Sequence, residues 1–273
     1  MQKRTLVYRN STVNYYRFGR GPSIVLCFHG YGEEAAQFSF LEKYVGDRYS
    51  FYAIDLPFHG ATNWKEGLNF TNEDLTKIAA QVLLENNPVI ENLKYNLVGF
   101  SLGGRVALSL YQAEPARVQK LILLAPDGLK VNFWYWLATQ SSLGNRLFAL
   151  SMKRPGWFFA LLKFLNKLGF VNSSVYKFVN YYIGNPEARD LLYKRWTGLR
   201  GLKPNLSGIQ AYIRQYSTPT PLLYGKYDRI ILPARGEKFQ KGIEELCTIN
   251  VVDAGHQVLH ENHVKSIIQA LQE

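Results

Sequence analysis

The segment Gly99-Phe100-Ser101-Leu102-Gly103-Gly104 carries the clearest chemistry in this chain. It closes the continuous apolar run Tyr95–Phe100 and opens a helical stretch, Leu102–Tyr111, so Ser101 falls in a tight strand-to-helix turn. A side chain in such a turn projects from the end of the strand. Gly99 and Gly103 let the backbone bend there without a Cβ clash. The start of the following helix supplies backbone N–H groups and a positive dipole end, which suit a developing oxyanion. A serine hydroxyl alone is a poor nucleophile. It needs an imidazole to remove its proton and a carboxylate to fix the imidazole tautomer and offset its charge.

The elements that must position these groups alternate along the chain. Thr12–Phe18 reads as an early strand, with side chains alternating in character. Ser23–Phe28, Ser50–Asp55, Tyr95–Phe100, Lys120–Ala125, Thr220–Gly225 and Thr248–Asp253 are short apolar runs, as expected for strands buried on both faces. Between them lie helical candidates at Thr71–Leu84, Leu102–Tyr111, Pro233–Ile243 and Glu261–Leu271. Thr71 with Asp74 three residues on is a variant of the capping box. This is the pattern of a mostly parallel sheet covered by helices.

One segment breaks the alternation. Asp127–Tyr216 holds 13 Lys and Arg against 3 Asp and Glu, so it contains nearly all of the chain's net charge of +11. It also holds Trp134, Trp136, Trp157 and Trp196, four of the five tryptophans. Its helical stretches are interrupted by Gly144, Pro155-Gly156 and Gly184-Asn185-Pro186. An insertion here is expected to sit above the strand ends, where ligands enter open α/β sheets.

On these residues the chain resembles the α/β-hydrolase family, over essentially everything outside Asp127–Tyr216. His29-Gly30-Tyr31-Gly32 resembles the family's H-G-x-G loop. That resemblance implies an oxyanion hole formed by the backbone N–H groups of Tyr31 and Leu102, with His29 and Gly30 supporting the loop. Asp55 to Gly60 is similar to a structural turn of the family. Asp228, after the run Thr220–Gly225, stands in the place of the family's acid; Asp127 is the rival, since some members take their acid from the preceding strand. Gly255-His256 resembles the loop that carries the family's base. His29 and His59 belong to turn motifs, and His260 and His263 start the last helix in capping or solvent-facing positions. The order Ser101, Asp228, His256 is the family's order.

The resemblance implies an α/β-hydrolase fold: a core of residues 1–126 and 217–273 and a helical cap, 127–216, inserted after the sixth strand. It implies a serine hydrolase, carboxylesterase- or lipase-like, cleaving an ester-type acyl bond through an acyl-Ser101 intermediate. Two alternatives stay open. Gly99–Leu108 also resembles the elbow of the menaquinone-pathway synthase, a lyase that uses the same triad as a base. A small-molecule receptor that keeps the fold without turnover is the other.

No H-E-x-x-H or paired C-x-x-C occurs, so no metal is expected, and no G-x-G-x-x-G or G-x-x-x-x-G-K loop points to a cofactor. Serine rather than aspartate at the elbow argues against the dehalogenase and epoxide hydrolase branches. No nucleic-acid motif accompanies the charge, so no nucleic-acid partner is expected. The N-terminus lacks an apolar signal run, no stretch is long enough to span a membrane, and Cys27 and Cys247 are far apart. These features lead us to expect a reduced, cytoplasmic protein. Gly156–Phe170 surrounds Lys163 and Lys167 with aromatic and aliphatic residues. The basic segment is therefore read in three ways: a cap packing on the core, a site for an acyl or anionic substrate, or a peripheral contact with an anionic membrane. Phe100, Arg105, Trp134 and Trp157 are the candidate substrate contacts.

Overall fold

Apolar runs of four to eight residues are too short for stable helices and instead pair edge to edge. In the computed structural model, which describes residues 1–87, 93–131, 133–168 and 183–272, they form one sheet of eight strands. The strands are β1 (Gln2–Tyr8), β2 (Ser11–Phe18), β3 (Ser23–Phe28), β4 (Tyr49–Ile54), β5 (Tyr95–Phe100), β6 (Val118–Leu124), β7 (Leu222–Gly225) and β8 (Ile249–Val252). Their spatial order is β1-β2-β4-β3-β5-β6-β7-β8. β1 and β2 pair antiparallel, as do β2 and β4; every pairing from β4 onward is parallel. β1 is the strand the sequence pattern does not reveal. Only its Leu6 and Tyr8 are buried, as befits an edge strand, so it has no continuous apolar run.

Successive strand residues point to opposite faces, and both faces are covered. Val25, Cys27, Val98 and Phe100 join Ile267 and Leu271 of the last helix in one cluster. Leu26 and Leu97, one position along, are fully buried on the other face. The helix Asn72–Asn86 starts at a complete capping box. Thr71 Oγ1 accepts from the Asp74 N–H at 3.1 Å, and Asp74 Oδ2 accepts from the Thr71 N–H at 3.0 Å. Cys27 and Cys247 are both free thiols in the interior. Burial raises both, Cys247 to about 12.

The chain divides into two compact units. One comprises Met1–Glu66, Thr71–Lys130 and Leu202–Glu273 and contains the sheet; the other comprises Gly67–Phe70 and Val131–Gly201. The borders lie inside the compositional break at 127 and 216 for a physical reason. Asp127 is bonded to the elbow, and the helix Leu206–Tyr216 buries Ile209 and Ile213 completely. Described helices of the second unit are Phe133–Gln140, Ser142–Lys153, Gly156–Lys167 and Pro186–Gly198. Phe148 packs on Tyr193 and Trp196 there, and Trp196 on Tyr135, with ring centroids 5.3–5.6 Å apart. No helix among the described residues is long and apolar enough to cross a membrane.

Candidate active site

Parallel pairing of β5, β6, β7 and β8 brings the loops after these strands to one edge of the sheet. Ser101 follows β5 directly, with φ +50° and ψ −115°, a conformation strained for any residue with a Cβ. The neighbouring strand end holds it there. The Ser101 N–H donates to the Leu124 carbonyl at 2.9 Å, and its own carbonyl accepts from the Gly104 N–H at 2.9 Å and the Asp127 N–H at 2.8 Å.

The elbow helix sits hard against β3. A Cβ on Gly103 would lie 1.9 Å from the Phe28 carbonyl oxygen. Gly103→Ala should therefore destabilise the protein by about 1–3 kcal/mol, toward the upper end because the obstacle is backbone. A drop of several degrees in Tm checks this; an unchanged Tm would mean the helix can lift off the strand.

Asp228 lies three residues beyond β7, with its carboxylate buried. Oδ1 accepts from the N–H groups of Ile230 at 2.7 Å and Ile231 at 2.9 Å. That leaves Oδ2 for His256 Nδ1, 2.7 Å away. His256, four residues beyond β8, places Nε2 2.9 Å from Ser101 Oγ. Because a carboxylate only accepts, Nδ1 carries the imidazole proton and Nε2 is left to receive one from the hydroxyl. The ring of Phe100 is buried in the core cluster and lies 5.5 Å from that of His256. Arrays of this kind activate a serine.

The rival acid is engaged elsewhere. Asp127 Oδ2 pairs with the Arg105 guanidinium, and Oδ1 accepts from the Gly128 N–H at 2.7 Å. Arg105, proposed from the sequence as a substrate contact, is thus buried in an ion pair that ties the elbow helix to the loop after β6. Trp157 is half-exposed in the second unit, edge-on to Phe158 at 5.9 Å. The Trp134 side chain lies outside the described residues.

Pairing of Phe28 with Gly99 sets the loop after β3 beside the elbow. His29 is fully buried. Its Nε2 accepts from the Leu56 N–H at 3.0 Å, so Nδ1 carries the proton and donates to the Gly30 carbonyl at 2.8 Å. Leu102, first residue of the elbow helix, has an N–H with no acceptor inside that helix, as the first turn always does.

Glu33 is the residue here that sequence reading missed. Its Oε2 accepts from the Gly30 N–H at 3.1 Å and its Oε1 from Gln257 Nε2 at 3.1 Å. It thereby joins the loop bearing Tyr31 to the residue after His256. The only sequence signal was a carboxylate just past the H-G-x-G segment. Burial pushes the Glu33 carboxyl above the usual glutamate range, partly offset by the hydrogen bonds from Gln257 and Gly30. The folded protein then holds this proton more tightly than the unfolded chain. Ionisation opposes folding, with no penalty below the unfolded value of about 4.3 and the full penalty once pH exceeds the folded value. Glu33→Gln should therefore gain stability relative to the natural protein as pH rises from about 4 toward neutrality. Urea midpoints across that range test it, and a pH-independent difference would refute it.

A profile of the alpha/beta hydrolase fold matches residues 23–263. The chain belongs to the α/β-hydrolase fold family, and with it to the hydrolase enzymes. Among curated proteins it is 26% identical over 232 residues to a pimeloyl-[acyl-carrier protein] methyl ester esterase of Nitrosomonas europaea, covering 79% of this chain and 81% of that one. It is 24% identical over 258 residues to the uncharacterized hydrolase YugF of Bacillus subtilis, covering 90% and 89%. A thermophilic esterase from Thermogutta terrifontis shares the fold at a TM-score of 0.70 and 18% identity, covering 100% of this chain and 98% of that one.

Proposed function

We propose that this protein hydrolyses an ester-type acyl bond through an acyl-Ser101 intermediate. The observation that carries the reading is the unbroken line from Ser101 Oγ to His256 Nε2 at 2.9 Å and from His256 Nδ1 to Asp228 Oδ2 at 2.7 Å. His256 Nε2 takes the hydroxyl proton as Oγ bonds to the ester carbonyl carbon. The resulting oxyanion receives N–H groups from Tyr31 and Leu102. Collapse breaks the ester C–O bond, and the imidazolium gives its proton to the departing alkoxide. Water then repeats the sequence, with His256 as base, and releases the carboxylic acid and free Ser101. Asp228 stays ionised and holds the ring.

The name of the relative from Nitrosomonas europaea, a methyl ester esterase acting on a carrier-borne acyl chain, supports ester chemistry and an acyl substrate. The lyase alternative draws on Arg105 to meet a polyanion, and its pairing with Asp127 lends that no support. Fluorophosphonate labelling, with turnover of p-nitrophenyl esters of two to twelve carbons, tests the proposal. Label at Ser101 and hydrolysis of the series are expected. A folded protein that takes no label and turns over none of the series would be a receptor instead.

A further inference from the structure

We infer that the helices Ser142–Lys153 and Gly156–Lys167 form a docking face for an anionic lipid bilayer. A helix on a globular protein ordinarily buries one apolar stripe and turns polar residues to water. Each of these helices carries a second apolar stripe that stays exposed. In the first, Gly144 is buried while Leu143, Leu147 and Leu150, spaced i, i+4, i+7, are 45–70% exposed. In the second, Leu162 is buried while Trp157, Leu161 and Phe164, at the same spacing, are 42–59% exposed. The same exposed stripe on two consecutive helices exceeds what scattered surface leucines would amount to.

Charge selects the occupant. Between Val131 and Leu168 there are five Lys and Arg and no Asp or Glu. Arg146, Lys153 and Lys167 stand three residues after Leu143, Leu150 and Phe164, so cations flank both stripes. An acidic protein would match the charge but has no need of six exposed large apolar side chains. A bilayer interface takes both. Leucines reach the acyl boundary, Trp and Phe sit at headgroup depth, and Lys and Arg extend their stems to lipid phosphates. None of these residues belongs to the Ser101 array, so this inference and the ester reading fail independently.

The test is flotation of the full chain with vesicles of phosphatidylcholine and phosphatidylglycerol at 7:3, against pure phosphatidylcholine. Most of the protein should float with the anionic vesicles at low salt. High salt, or pure phosphatidylcholine, should cut the bound fraction at least fivefold. The combined variant Leu143→Ser, Leu147→Ser, Leu161→Ser, Phe164→Ser should lose at least fivefold in binding, with turnover of a short soluble ester unchanged. Arg146→Gln with Lys153→Gln and Lys167→Gln provides a second, charge-only variant, expected to weaken binding to anionic vesicles alone. Absence of flotation at low salt would overturn the inference, as would binding by either variant equal to that of the natural protein. Binding to a purified acidic acyl-carrier protein but not to vesicles would assign the face to a protein and overturn it too.

Discussion

Ser101→Ala should lower kcat for an activated ester by about a million-fold while leaving the fold intact. The residue is small, its backbone is held by three main-chain hydrogen bonds, and its side chain is bonded to His256, so alanine removes one oxygen and little else. The same loss is expected for His256→Ala, because a hydroxyl without its base is no better than no hydroxyl. The informative measurement is the double variant. If the two groups act as one unit, Ser101→Ala with His256→Ala falls no further than either alone. A double variant that loses the product of the two single effects would show independent roles and end the proposed mechanism.

The second large effect is Asp228→Asn, expected to cost about ten-thousand-fold in kcat. The reason lies in how the carboxylate is shared. Oδ1 accepts from two backbone N–H groups, Ile230 and Ile231, so an amide would put its oxygen there and its NH2 where Oδ2 stands. That NH2 would donate to His256 Nδ1 and drive the proton to Nε2, which then faces Ser101 Oγ with a hydrogen and cannot act as a base. KM should change little, since the side chain is buried and meets no substrate. Steady-state kinetics on a p-nitrophenyl ester decide the matter. A variant keeping more than a tenth of the natural kcat would remove Asp228 from the mechanism and return attention to Asp127.

The candidate site was readable from sequence wherever it rests on local geometry. A strand run, two glycines around a serine and an amphipathic stretch dictate a sharp turn, and the turn is there with Ser101 at φ +50°. Loop residues that follow a buried strand are also readable, because parallel strands deliver their C-terminal loops to one edge; so Asp228 and His256 emerge beside Ser101. Long-range polar pairings were not. Arg105 read as a cation for a ligand, yet Asp127, 22 residues on, takes it. Glu33 drew no reading from the sequence, and Gln257, 224 residues away, makes it a bridge between two loops. The strand β1 escaped because an edge strand needs few buried residues.

By itself, then, the order of residues determined the sheet of short apolar runs, the elbow, and the serine and histidine that meet there. Periodicity and turn chemistry act over a few residues and are written in the chain. Tertiary structure alone decided which acid faces the imidazole, where Arg105 spends its charge, and which apolar stripes of residues 142–167 are covered and which stay at the surface. Those outcomes depend on which partners the packed elements bring within reach, and spacing along the chain does not encode such distances.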